Sequence, residues 1–441
     1  MKRILILGAG RSSPALIDYL LGHAAASEWT IRVGDLDEAM AAGRIQGHAR
    51  GEFFGISDGD DAQRQSEIAA ADLVISMLPA PMHPAVGLVC LRHSKPLITP
   101  SYVSDEMIAL DAVAKAAGLM FLNEMGVDPG IDHMSAAQLI DRLTSEGAEL
   151  TSFESYTGGL IAPSCDNNPW HYKITWNPRN VVLAGAGGVA RYYEGAKLRF
   201  VPYHQLFGRS TPVEVPGHGH FEGYANRDSV RYRSVYGLDN LPTLVRGTLR
   251  REGFCAAWHV LVQLGLTDDS LVLSEAQGIT WLDLTTSFLP AAAAGDPEGF
   301  IQAMTGASQD TMDKLRWLGL FDKEPLGITS GSPAKALQCL IEKKWVLSPG
   351  DRDMIVMWHR FGYRLDGRQH TLESWLVTEG IDETYTAMSR TVGLPLAIAA
   401  RLMLSGQLHI PGVILPTTPD IYRPVLNELN SLGICFNERH S

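Results

Sequence analysis

A chain of 441 residues exceeds what one ordinary core fills, and its 45% hydrophobic content is enough to build two or three domains. With 49 acidic against 37 basic side chains, a formal net charge of −12 disfavours nucleic-acid and anionic-membrane partners, so an anionic small molecule would have to meet a local basic patch. The five cysteines (Cys90, Cys165, Cys255, Cys339, Cys435) are scattered with no Cys-x-x-Cys pair, which argues against a disulfide framework or zinc site and for reduced thiols.

The apolar part of "MKRILILGAG" is too short for a signal peptide, and no apolar run of spanning length follows, so a cytoplasmic protein is expected. "KRILILGAGRSSPALIDYLL" reads as strand, glycine turn and amphipathic helix, with Gly8-x-Gly10-x-x-Ser13 standing where a full Gly-x-Gly-x-x-Gly would bind a dinucleotide. Gly8 would make the tight turn and Gly10 would let the backbone approach a pyrophosphate. Ser13 is small enough for close helix packing, and the helix start offers unpaired N–H groups. The candidate cofactor residues of this turn are Gly8, Gly10, Arg11, Ser12 and Ser13; an ordinary strand-turn-helix is the alternative.

The next strand, "WTIRVGD", ends in Asp35, placed to accept hydrogen bonds from an adenosine ribose and to repel a 2′-phosphate. The spacing therefore predicts NAD in preference to NADP. Neither Arg32 nor Arg44 is obviously placed to neutralise a phosphate, and Asp35 as N-cap of "EAMAAGRIQG" is the competing role. Further apolar runs at "DLVISMLP" (72–79), "KPLITPS" (95–101) and "GLMFLNE" (118–124), with helical stretches between them, predict a doubly wound parallel sheet. Ligands of such sheets bind past the carboxyl ends of the strands, where Ser76, Pro79, Ser101, Tyr102 and Asp128 fall. Ser76 and Pro79 join the cofactor candidates. In "NEMGVDPGIDH", Asp128-Pro129-Gly130 is a tight turn that would hold Asp128 rigidly at the mouth of the cleft, with Asp132 as N-cap of a helix from His133 to Leu143.

Alternating patterns from about residue 150 to 240 suggest a mixed sheet. From "LVRGTLRREGF" to "LIEKKW" the pattern turns helical, and "RDMIVMWHRFGYRLDGRQHTLESWLV" returns as strands about an Asp366-Gly367 hairpin turn. "MSRTVGLPLAIAARLMLSG" is apolar at helical spacing and is expected to pack back on the nucleotide domain. The predicted division is a Rossmann-like dinucleotide-binding domain over 1–131, an α+β substrate-binding and dimerisation domain over 132–390 with a helical insertion at about 245–345, and a C-terminal helical segment over 391–441. "GHGH" at 217–220 is the one local histidine cluster, and no metal is called for.

"LVISMLP", "TPSYVSDEM", "NEMGVDPGIDH", "ESYTGGL", "DNNPWHYKITWNPR", "NRDS" and "VRGTLR" occur in an order and spacing that resemble the glutamate-forming saccharopine dehydrogenases, also called saccharopine reductases, from Lys2 to about Cys435. The resemblance implies reversible hydride transfer between a nicotinamide and the secondary amine of saccharopine, giving an imine that hydrolyses to glutamate and 2-aminoadipate 6-semialdehyde. It implies substrate contacts at Ser101, Tyr102, Asp128 and Arg227, with "RGTLR" (Arg246, Thr248, Arg250) nearby, and it suggests a homodimer. Two departures stand out: Thr157 replaces a cysteine of fungal members, and Asp35 stands where NADP-using fungal enzymes have a basic residue nearby. Three substrate carboxylates ask for arginines, whose planar fork grips a carboxylate with two hydrogen bonds, although Arg250 and Arg251 also read as a solvated helix face. Asp128, Tyr102, Lys173 and His133 are the titratable candidates for proton transfer, with Lys173 equally able to bind a carboxylate and His133 equally able to be structural. A related imine-forming dehydrogenase acting on another amine-semialdehyde adduct, such as carboxynorspermidine, is the runner-up. A nucleotide sensor without chemistry is a third reading.

Overall fold

The computed structural model describes residues 1–57, 61–186, 188–225 and 228–441. It divides into two compact units, one of residues 1–148 with 376–436 and one of residues 149–375 with 437–441. The helix Ile131–Ser145 belongs to the first unit, where the Tyr422 hydroxyl of the helix Pro419–Ser431 donates to Asp141 at 2.6 Å. The chain therefore changes unit after Ala148, again at Leu376 and once more after Phe436.

The first unit is built on strands β1 (Lys2–Leu7), β2 (Trp29–Asp35), β3 (Gly51–Gly55), β4 (Leu73–Ser76), β5 (Leu97–Ile98) and β6 (Met120–Leu122). They are all parallel and lie in the order 3-2-1-4-5-6, with a seventh strand, Gly412–Ile414, added beside β6. Helices cover both faces of such a sheet, so its central strands read as unbroken apolar runs. Ile4, Leu5, Ile6 and Leu7 are at most 1% exposed, and burying each stabilises the fold by roughly 1.5–3 kcal/mol. The strand order reverses between β1 and β4, and the crevice at that switch point is where ligands of this fold bind.

Against the expectation that no apolar run of spanning length occurs, the helix Ala387–Leu404 is long and apolar enough by length and composition to cross a membrane. It is a core helix: its Ser389 hydroxyl accepts the Ala15 N–H at 3.1 Å, and a Cβ on Gly393 would stand 2.7 Å from the Leu16 nitrogen. Only glycine admits that approach to the helix Pro14–Ala24.

The second unit holds a mixed sheet of β7 (Glu149–Ile161), β8 (Ala190–Glu194), β9 (Lys197–Val201), β10 (Thr211–Val215), β11 (Gly219–Ala225), β12 (Thr243–Arg251), β13 (Asp353–Leu365) and β14 (Arg368–Glu379). The main path runs β10-β11-β12-β7-β13-β14 and ends on Phe436–His440, with β8 and β9 branching from β12. β12 pairs with β7 in parallel and with β11 antiparallel. Asp366 and Gly367 both take positive φ, as the two-residue hairpin turn between β13 and β14 requires. The segment "LVRGTLRR", read from sequence as the start of the helical region, is strand throughout, and the first helix after it begins at Phe254. Its period is two: flanking strands pair with it on both sides, and Gly247 leaves room for the Tyr156 ring, which a Cβ would meet at 2.5 Å. Trp170, Tyr172, Phe254, Trp258 and Trp345 form an aromatic core in this unit, with ring centroids 5.1–6.2 Å apart among the pairs in contact.

Candidate active site

The glycine turn sits at the switch point. Gly8 has φ +105°, and a Cβ there would lie 3.0 Å from the Met77 carbonyl oxygen, so both conformation and space demand glycine. Gly10 faces open space, with nothing within 4 Å of where a Cβ would stand, which leaves its backbone approachable by a ligand. The buried Ser13 donates its hydroxyl to the Gly10 carbonyl at 2.9 Å and thereby ties the turn to the start of the helix Pro14–Ala24. Arg11 is exposed at the tip and Ser12 is half-buried. This cradle, with a helix N-terminus behind it, fits a dinucleotide pyrophosphate.

The carboxylate of Asp35 turns inward, accepting the Ala9 N–H at 2.6 Å and the Asp37 N–H at 3.0 Å. It is not an N-cap: Asp37 caps the helix Glu38–Ile45, accepting from Ala39 and Met40. Arg32 is committed to Glu67, its Nε donating at 2.8 Å. Arg44, by contrast, reaches the turn and donates from Nε to the Ala9 carbonyl at 3.2 Å. Burial lowers the Arg44 pKa, with the charges of Tyr385 and Asp35 opposing the shift. Pro79 is exposed just past β4, whereas Ser76 is fully buried and turns its hydroxyl to His83, away from solvent.

Asp128 lies in the segment that joins β6 to the helix Ile131–Ser145, and its bond to Pro129 is cis. From Leu119 to Ala137 it is the one residue that is not buried. The Tyr102 hydroxyl donates to its carboxylate at 2.6 Å. Below it the turn is braced from within. Gly126 N–H donates to the Pro129 carbonyl at 2.9 Å and Ile131 N–H to the Gly126 carbonyl at 3.0 Å. A Cβ on Gly130, at φ +148°, would fall 2.0 Å from the Gly126 oxygen. Asp132, expected as the helix N-cap, is instead the second helical residue, because the chain turns helical as soon as Gly130 ends; its carboxylate accepts the Gly130 N–H at 2.6 Å. His133 is fully buried, with its Nε2 2.8 Å from Glu124, which also accepts the Val103 N–H at 2.9 Å. Ser101 is half-exposed beside Tyr102, its hydroxyl 3.0 Å from His83 Nε2.

In the second unit, strand alternation puts Arg246, Thr248 and Arg250 on one face of β12, with Thr157 opposite Thr248 on β7. Arg246 lies over the Tyr232 ring at 4.1 Å, and its backbone N–H donates to Ser229. Arg250, 4% exposed, is ringed by Tyr172, Phe254 and Tyr224 at 5.2, 5.3 and 5.9 Å, and among the described residues no carboxylate meets it. The buried Thr157 hydroxyl also lacks a partner among the described residues. Arg251 points to the other face and stacks over Phe221 at 4.5 Å, so neither it nor Arg250 belongs to a solvated helix. Lys173 is buried with its ammonium 2.5 Å from Asp351. Arg227 lies outside the described residues. His83 and Glu124 escaped sequence reasoning; "PMHPAVG", a histidine opening a helix just past a strand end, was the available signal for the first.

The strand order, the glycine cradle and the Tyr102–Asp128 pair at the carboxyl end of the sheet define a dinucleotide-binding protein of the doubly wound class. Family models sharpen this: residues 4–122 match the saccharopine dehydrogenase NADP binding domain and residues 126–434 the saccharopine dehydrogenase C-terminal domain. The NADP-named, L-glutamate-forming saccharopine dehydrogenase of Schizosaccharomyces pombe is 32% identical over 99% of both chains, and that of Saccharomyces cerevisiae is likewise 32% identical over 99% of both. The bovine mitochondrial alpha-aminoadipic semialdehyde synthase is 31% identical over 99% of this chain, which spans 47% of it. The apo structure of the L-glutamate-forming saccharopine dehydrogenase of S. cerevisiae superposes with a TM-score of 0.88 over 100% of both chains at 30% identity. The chain belongs to the L-glutamate-forming saccharopine dehydrogenase family.

These findings overturn the preference for NAD read from Asp35, since the full-length fungal relatives are named for NADP and the matched N-terminal domain is an NADP-binding one. Two local facts explain the misreading. Asp35 is held by the backbone N–H groups of Ala9 and Asp37, and Arg44, dismissed from sequence, stands at the same turn.

Proposed function

We propose that the protein catalyses the reversible NADP-linked oxidation of the secondary amine of saccharopine to an imine, which water cleaves to L-glutamate and 2-aminoadipate 6-semialdehyde. The observation that carries the chemistry is the Tyr102–Asp128 hydrogen bond, a proton-handling pair on a rigid turn at the cofactor end of the sheet. Family membership along the whole chain supports the substrate. The glycine turn would hold the pyrophosphate, and NADP, when bound, supplies the hydride acceptor. Asp128 takes the amine proton and later serves water addition to the imine, with Tyr102 holding its carboxylate in one orientation. Within the second unit Arg250, buried with no carboxylate among the described residues, has the chemistry of a carboxylate binder, and the family resemblance extends that reading to Arg227 and Arg246. Lys173, with its ammonium on Asp351, positions its segment and leaves the proton work to Asp128.

Initial rates of absorbance gain at saturating saccharopine, with NADP and NAD in separate reactions, test the cofactor assignment. A kcat/KM for NADP at least tenfold above that for NAD supports it, and the reverse ratio removes it.

A further inference from the structure

His83 was assigned no part in the chemistry above, yet it stands between two hydroxyls at the carboxyl ends of adjacent strands. Its Nδ1 lies 3.0 Å from Ser76 Oγ and its Nε2 3.0 Å from Ser101 Oγ. Ser76 ends β4 and is 0% exposed, and His83, 4% exposed, opens the helix His83–Arg92. Ser101 alone of the three is half-exposed.

The tautomer follows from satisfying Ser76. Among the described residues its hydroxyl has no partner besides His83, so a Ser76 that accepted from Nδ1–H would leave its own hydrogen buried and unsatisfied, at a cost of roughly 1–3 kcal/mol. Ser76 therefore donates to Nδ1. A neutral imidazole carries one N–H, which must then be at Nε2. That N–H donates to Ser101 Oγ, and Ser101 keeps its own hydrogen for a group outside the protein. Burial lowers the His83 pKa to about 4, so the ring stays neutral and the relay keeps its direction near neutral pH.

We propose that His83 is a positioning residue: by donating from Nε2 it fixes Ser101 as an outward hydrogen-bond donor to an acceptor oxygen of the bound substrate. The choice of saccharopine as that substrate rests on the function proposed above; the direction of the relay does not.

Two experiments separate these. In the wild-type protein, nitrogen-15 shifts of the His83 ring, assigned by loss of the signal in His83→Gln, should show Nε2 protonated and Nδ1 bare at pH 7.5. An Nδ1–H tautomer overturns the proposal whether or not saccharopine is turned over. In steady-state assays, Ser101→Ala and His83→Leu should each raise the saccharopine KM roughly tenfold, with the NADP KM within twofold of wild type. The double variant should be no worse than Ser101→Ala alone, and His83→Gln, whose amide offers a donor near the Nε2 position, should recover most of the loss. An undiminished effect of His83→Leu in the Ser101→Ala background, or a Gln variant as impaired as the Leu variant, would show His83 to be merely structural. No turnover of saccharopine by the wild type would instead fault the substrate assignment, while the ring shifts still decide the relay.

Discussion

Around the Asp128 turn the polar groups are met by partners within the same unit: Asp132 takes the Gly130 N–H, Glu124 takes His133 and the Val103 N–H, and the half-exposed Asp128 receives the Tyr102 hydroxyl. On β12 the Arg250 guanidinium is equally removed from solvent but is surrounded by aromatic rings, with one hydrogen bond to the Leu249 carbonyl and no carboxylate among the described residues. A buried charge without a counter-charge destabilises the protein that keeps it. The difference teaches that the acidic element meets its partners within its own unit, whereas the cationic one has no counter-charge among the described residues. Variants on the two sides should accordingly fail in different ways.

The largest effect is expected at Asp128. Asp128→Asn keeps the shape but removes the base, and kcat should fall by about 10²–10⁴ with the melting temperature little changed. A kcat within fivefold of wild type would take the proton role away from this turn. Gly130→Ala attacks the frame instead: the added methyl collides with the Gly126 carbonyl, and stability should drop by about 3 kcal/mol or more, read by chemical denaturation. If it folds with wild-type stability, the turn is not braced as described.

His83 carries a pH signature. Its folded pKa, about 4, lies below the ordinary 6.5, so between those values the unfolded chain binds the extra proton and stability falls as pH falls. The wild type should lose roughly 3 kcal/mol from this group between pH 6.5 and 4, and His83→Gln should lack that share, measured as the difference between their urea midpoints at the two pH values. The smallest effect belongs to the arginine side. Arg250→Met should raise the saccharopine KM about thirtyfold while leaving the NADP KM alone and, since it removes an uncompensated buried charge, should not lower the melting temperature. Equal rises in both KM values, or a marked loss of stability, would make Arg250 part of the scaffold and dissolve the contrast between the two regions.

Much of this arrangement is legible in the chain itself. Short apolar runs locate β1, β4, β5 and β6, the strand pattern of "WTIRVGD" locates β2, the Asp-Gly pair locates the hairpin, and Asp-Pro-Gly locates the turn after β6. What stays hidden depends on neighbours distant in sequence. β3 and Gly412–Ile414 are the two edge strands of the sheet, Phe53 of β3 being 44% exposed and Val413 and Ile414 only partly buried, so neither carries the apolar signal of a central strand. Arg246 and Arg250 stand four apart, a spacing that fits a helix face as well as alternate positions of a strand, and only pairing with β7 and β11 decides between them. The cofactor preference was misread because Asp35 was given an outward carboxylate, and nothing local in the sequence says that Ala9 and Asp37 capture it. His83 acquires its role only when β4 and β5 lie side by side.

The most direct test of the account is to incubate the protein with saccharopine and NADP and to identify the amino acid released. The account predicts L-glutamate in step with NADPH. Lysine with 2-oxoglutarate, or no product from protein that binds NADP, would contradict it.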